Sequence, residues 1–112
     1  MAKEAQISSA KVTKLLAKGV IAKATHDVDE FISTIFTRLK RDGSPRLILN
    51  LKKLNEHIVY HHFKMDSLQS AVQLMKPHCW MAVLDLQDAY YSVAIRTALR
   101  KYLRFDHDGQ LY

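Results

Sequence analysis

A chain of 112 residues, 48% hydrophobic and 25% charged, has room for one small domain or a piece of a larger one, and is too apolar to be disordered. Its net charge of +6 suits a polyanionic partner such as nucleic acid, and its single cysteine, Cys79, excludes an internal disulfide and fits a reducing compartment. No apolar run approaches the ~20 residues of a membrane span, and three glycines and two prolines leave no linker, repeat or low-complexity tract.

The lysine-rich start, MAKEAQISSAKVTKLLAKGV, has some of the character of an organelle transit peptide. It lacks arginine, however, and Val12, Leu15, Leu16 and Ile21 fit an ordinary amphipathic helix better. With Ser8 or Ser9 as cap and Gly19 as stop, a helix is expected over 10–18. Residues 31–39, FISTIFTRL, are β-branched and aromatic and predict a strand. A turn centred on Asp42-Gly43 and a returning strand over 46–51 complete a hairpin with a basic tip. Residues 52–58 are ambiguous and admit a short helix.

After Tyr60-His61-His62, Asp66 or Ser67 opens a second helix with an apolar face of Leu68, Val72 and Met75, closed by Pro77. Residues 80–86 carry few polar side chains and predict a central strand buried on both faces. Residues 87–91 are expected to turn helical. A last hairpin, 102–105 with 110–112 around Asp106-His107-Asp108-Gly109, has barely begun at Tyr112, which points to part of a larger domain. Mixed strands and helices give an α+β fold class.

The stretch 83–91, VLDLQDAYY, sets two acids directly after the predicted buried strand. Burying a carboxylate there is costly unless a cation faces it. One reading makes Asp85 a magnesium ligand on a rigid strand end, with coordination sites left for phosphate oxygens and water. The other makes Asp85 or Asp88 a helix N-cap, and the DxxD spacing alone favours the cap. The histidines His57, His61 and His62, with His78-Cys79, suggest zinc by spacing only, and no recognisable ligand pattern supports it.

The surroundings of these acids resemble reverse transcriptases. VLDLQDAYYSVAI is similar to the first catalytic motif of that family, and RLKRDGSPRLILNLKKLN to its fingers hairpin. HHFKMDSLQSAV resembles the linking segment of retrotransposon enzymes, and AKGVIAKA the stretch that opens their domain. The four matches fall in the family's order across residues 10–112.

The resemblance implies a partial right-hand polymerase fold over 1–112, with a fingers-like segment at about 10–60 and the start of the palm at 61–112. That portion comprises the fingers hairpin, first palm strand and helices, and ends before the second catalytic motif. Asp85 takes the place of the first catalytic aspartate, and the Leu86 backbone carbonyl that of a further metal contact. Asp88, Ala89 and Tyr90 take the nucleotide pocket, Tyr90 as the aromatic gate against a ribose 2′-hydroxyl. Arg46 matches the fingers arginine that contacts the triphosphate, and Lys40 or Arg41 the fingers lysine. The implied cofactor is Mg2+, and the implied partners are an RNA or DNA template-primer and deoxynucleoside triphosphates.

Asn50 and Pro45 depart from the usual aspartate and bulky residue of that hairpin. A Tyr-x-Asp-Asp motif does not occur in the sequence, so the 112 residues alone are expected to be inactive. The remaining alternatives are a non-catalytic nucleic-acid-binding module and a degenerate retroelement remnant. An intracellular location is expected, with nothing to choose between cytoplasm and nucleus.

Overall fold

A computed structural model describes residues 2–112. Helix α1 (Ala2–Ala17) starts well before the predicted Ala10. Ala2, Lys3, Glu4, Ala5 and Gln6 are strong helix formers, and Glu4 in the first turn complements the helix dipole. Ser8 and Ser9 therefore lie inside the helix and cap nothing. The end is where the sequence places it: Gly19 adopts φ 72°, its N–H donates to Leu16 O, and Val20 N–H donates to Leu15 O. This pair of bonds closes the helix with a left-handed residue that glycine supplies without strain.

The predicted hairpin forms as β1 (Ile32–Leu39) and β2 (Pro45–Asn50), antiparallel, with Leu39 opposite Pro45 and Thr34 opposite Asn50. At its tip Gly43 N–H donates to Lys40 O and Lys40 N–H to Ser44 O. Gly43 has φ 82°, the left-handed geometry that ends a three-residue hairpin loop. Asp42 Oδ1 accepts from both the backbone N–H (2.9 Å) and the hydroxyl (2.5 Å) of Ser44. Helix α2 (Lys52–Asn55) is a single turn that buries Leu54.

Thr97–Tyr102 forms a 3-10 helix that the sequence reading missed, and it leads into β3 (Arg104–His107) and β4 (Gln110–Leu111). Asp108 and Gly109, both at positive φ, make the two-residue turn between them. The sheet order is β2-β1-β3-β4, with β1 and β3 parallel. Val12, Leu54, Phe105 and Leu111 are the buried apolar side chains among the described residues. Ser9 explains part of the helix docking: its hydroxyl lies 3.0 Å from His107 Nε2 and 3.3 Å from Asp108 Oδ2.

The segment between Gly19 and β1 is strapped to the far edge of this sheet. Ala24 pairs with Leu111, Phe31 N–H donates to Lys101 O, and Arg104 Nη1 donates to Thr25 O and Glu30 Oε2. His26 Nδ1 lies 2.5 Å from the other Glu30 oxygen. The His26 hydrogen bond first, then Arg104 and the Asp27 N–H, hold Glu30 at about 2, below the ordinary 4.5. The clasp therefore contributes its full stability above pH 4.5 and loses it as pH falls toward 2. Urea midpoints of the wild type and Glu30→Gln should differ at pH 4.5–5.5 and converge as pH falls toward 2. Parallel curves down to pH 2 would contradict the clasp.

These elements form one unit, residues through Ile58 together with Val93–Tyr112; a second unit is Val59–Ser92. In the second unit α3 (Leu68–Leu74) begins as predicted, Ser67 accepting from Ser70 N–H at 3.2 Å. It ends at Leu74, because Met75 is already extended ahead of Pro77. The predicted apolar face is exposed at Leu68, Val72 and Met75. The largest correction concerns residues 80–86, which form no strand: Trp80 and Val83 are fully or almost fully exposed. A strand buried on both faces needs ladder partners for its N–H and C=O groups. Among the described residues none pairs with this run.

Candidate functional site

The residues implicated from the sequence fall into two groups, one in each unit. Lys40, Arg41 and Arg46 belong to the hairpin end of the first unit. They line a shallow depression of about 540 Å³ with Arg38, Leu39, Asp42 and Ile48. The Ser44 hydroxyl and then its N–H hold the Asp42 carboxyl below the usual range, with Lys40 adding to the effect. The acid is thus ionised and committed to the turn. Among the described residues no carboxylate lies within ion-pair distance of Arg38, Lys40, Arg41 or Arg46.

Arg38 was not singled out from the sequence, yet it stands directly opposite Arg46 in the ladder. Its guanidinium carbon lies 5.6 Å from the centre of the Phe36 ring, two residues back on the same strand face. Like charges directly opposite one another cost about 0.2–1 kcal/mol of sheet stability. A two-residue turn at Asp42-Gly43 would set Arg46 opposite Leu39; the three-residue loop 41–43 shifts the register and sets it opposite Arg38.

In the second unit Asp85 and Leu86 lie on an irregular, exposed run that leads to Asp88 at φ 52°. Ala89–Ser92 then forms a 3-10 turn, in which Tyr91 N–H and the Ser92 hydroxyl donate to the Asp88 carbonyl. Tyr90 is almost fully exposed. The Asp85 carboxylate has no hydrogen-bond or ion-pair partner among the described residues, so neither the capping bond nor an internal counter-charge occupies it. Its oxygens and the Leu86 carbonyl are hard donors of the kind magnesium takes. Among the described residues no three His, Cys, Asp or Glu side chains converge as a metal cage. No helix there is long and apolar enough to cross a membrane.

Against proteins of known identity, this fold and charge pattern accompany similarity to viral polyproteins. The chain is 34% identical over 95 residues to the Pol polyprotein of equine infectious anemia virus (strain Wyoming), covering 84% of the chain and 8% of that protein. It is 28% identical over 83 residues to the enzymatic polyprotein of soybean chlorotic mottle virus, covering 72% of the chain and 12% of that protein. The chain thus spans about a tenth of the length of these curated relatives. No protein-family model matches it, and no solved structure does.

Proposed function

We propose that the chain is the fingers and first palm portion of a retroelement reverse transcriptase, an RNA-directed DNA polymerase that extends a primer by phosphoryl transfer. The observation that carries the reading is the hairpin. A turn of basic residues around Asp42-Gly43, with Arg46 returning on β2, sits in a chain similar to viral Pol polyproteins over 95 residues. Lys40, Arg41 and Arg46 would neutralise triphosphate charge, which phosphoryl transfer requires. Asp88, Ala89 and Tyr90 would shape the nucleotide pocket, with Tyr90 as the gate against a ribose 2′-hydroxyl.

Asp85 and the Leu86 carbonyl would hold Mg2+. When bound, the ion supplies charge stabilisation at the attacking and leaving oxygens. Two metals need more carboxylates than Asp85 alone, so the 112 residues by themselves should show no primer extension.

The hairpin cations, which have no carboxylate partner among the described residues, also favour a binding reading that needs no catalysis. Both readings predict that the purified chain binds single-stranded RNA or DNA with a steep salt dependence. Changing Lys40 and Arg46 together to glutamine should weaken binding and lower the log–log salt slope by roughly 1.4, about 0.7 for each phosphate contact on a single strand. Fluorescence anisotropy titrations across a salt series measure both quantities. Unchanged affinity and slope would remove the hairpin from either reading.

A further inference from the structure

Within the hairpin, two arginines face each other where a sheet ordinarily sets opposite charges or a neutral pair. We infer that Arg38 and Arg46 form a two-guanidinium fork that takes one phosphate group between them. This rests on the reading of the hairpin as a phosphate-handling element and adds the residue across the ladder from Arg46.

Four observations converge on it. Directly opposite residues of an antiparallel pair put their side chains on one face, with Cβ atoms ~4.5–5.5 Å apart, so the two guanidiniums can reach a common oxyanion. Arg38 is held over the Phe36 ring at 5.6 Å, which orders one prong before any ligand arrives. Neither arginine has a carboxylate in ion-pair reach among the described residues. Asp42, the acid that shares the depression, is turned to Ser44 through two hydrogen bonds.

Chemistry selects the ligand. A planar guanidinium offers parallel N–H donors that match phosphate oxygens two at a time, which an ammonium cannot do. With Lys40 and Arg41 lining the same depression, a multiply charged oxyanion suits it better than a lone carboxylate. Binding would also relieve the repulsion across the ladder, so ligand and hairpin would stabilise each other. The phosphate can come from the polyphosphate of a nucleotide or from the phosphodiester backbone of a nucleic acid.

The test is titration calorimetry of the 112-residue chain at low salt, with tripolyphosphate in one arm and a short single-stranded DNA oligonucleotide in the other. Arg38→Gln and Arg46→Gln should each weaken binding in the same arm by about tenfold, the scale of one lost charged hydrogen bond. The double variant should fall well short of the product of the two, because the prongs act as a unit. Arg38→Lys should recover less than half of the lost affinity.

The arm in which both changes weaken binding identifies the source of the phosphate, and such a joint loss in either arm supports the fork, whereas losses confined to different arms overturn it. Wild-type affinity for Arg38→Gln in both arms, with Arg46→Gln weakened, overturns the fork and leaves the hairpin's phosphate role standing. Loss for Arg38→Gln without loss for Arg46→Gln also overturns it. Insensitivity to both changes, or no binding by the wild type, overturns the fork and the phosphate-handling reading together. Should Arg38→Gln not fold, full affinity in Arg38→Lys overturns the fork.

Discussion

In the longer polymerase polypeptide that the proposal implies, Asp85→Asn should lower magnesium-dependent primer extension by at least ~1,000-fold, the kinetic equivalent of several kcal/mol of metal-supplied charge stabilisation. Template-primer affinity should change little, since that term comes from cations elsewhere. The substitution is informative because Asp85 is exposed and has no internal partner among the described residues. Replacing such a carboxylate by its isosteric amide should alter stability by no more than about 0.5 kcal/mol. It also preserves any capping capacity, because asparagine caps as well as aspartate. Lost activity would therefore report on metal binding and not on folding. Near-normal extension by the variant, measured on a primed RNA template, would sink the catalytic assignment.

The largest effect on stability should come from Phe105→Ala. Phe105 is 5% exposed, stands opposite Ser33 across the parallel β1–β3 pair, and stacks on Tyr112 with ring centres 5.3 Å apart. Its N–H and C=O both bond to Tyr112, at 3.1 and 2.9 Å. Truncating a buried phenylalanine costs about 3–5 kcal/mol through lost transfer energy and the cavity left behind. Against a total stability of roughly 5–15 kcal/mol, that loss should bring the first unit close to unfolding at physiological temperature. Urea denaturation followed by circular dichroism checks this, with Leu68→Ala, at a position 82% exposed, as a control expected to stay near wild type. A variant within 1 kcal/mol of wild type would contradict a core centred on Phe105, and a wild type without a cooperative transition would favour the degenerate-remnant reading.

Local chemistry was legible wherever a few adjacent residues decide the conformation. Gly19 closes α1, Asp42-Gly43 turns the first hairpin, Asp108-Gly109 turns the second, and Ser67 caps α3. Each depends on left-handed backbone or a short side-chain acceptor, properties that belong to the residue itself. The start of α1 was misplaced for the complementary reason. Ser9 has the chemistry of a cap, but its hydroxyl lies beside His107 and Asp108, far along the chain. No local pattern reports such a partner.

The candidate site divides along the same line. Lys40, Arg41 and Arg46 were readable as the ends of a turn-linked strand pair. Arg38 was not, because its significance lies in its position opposite Arg46, which the three-residue loop sets and a two-residue Asp42-Gly43 turn would not. The strap of residues 24–31, with Glu30 gripped by His26 and Arg104, left no sequence signal, since its partners come from the other end of the chain.

The run 80–86 marks the boundary. Its apolar composition expresses a tendency to be buried, and from that tendency a central strand was expected. A strand exists only where another strand completes its ladder, and the sheet formed here, β2-β1-β3-β4, does not include this run. Turn and helix-end positions follow from φ preferences and hydrogen bonds a few residues apart, so the order of residues alone was enough to place them. Which strands pair, which arginines face each other and whether an apolar run is covered depend on contacts between distant residues. Those were decided only by the folded chain.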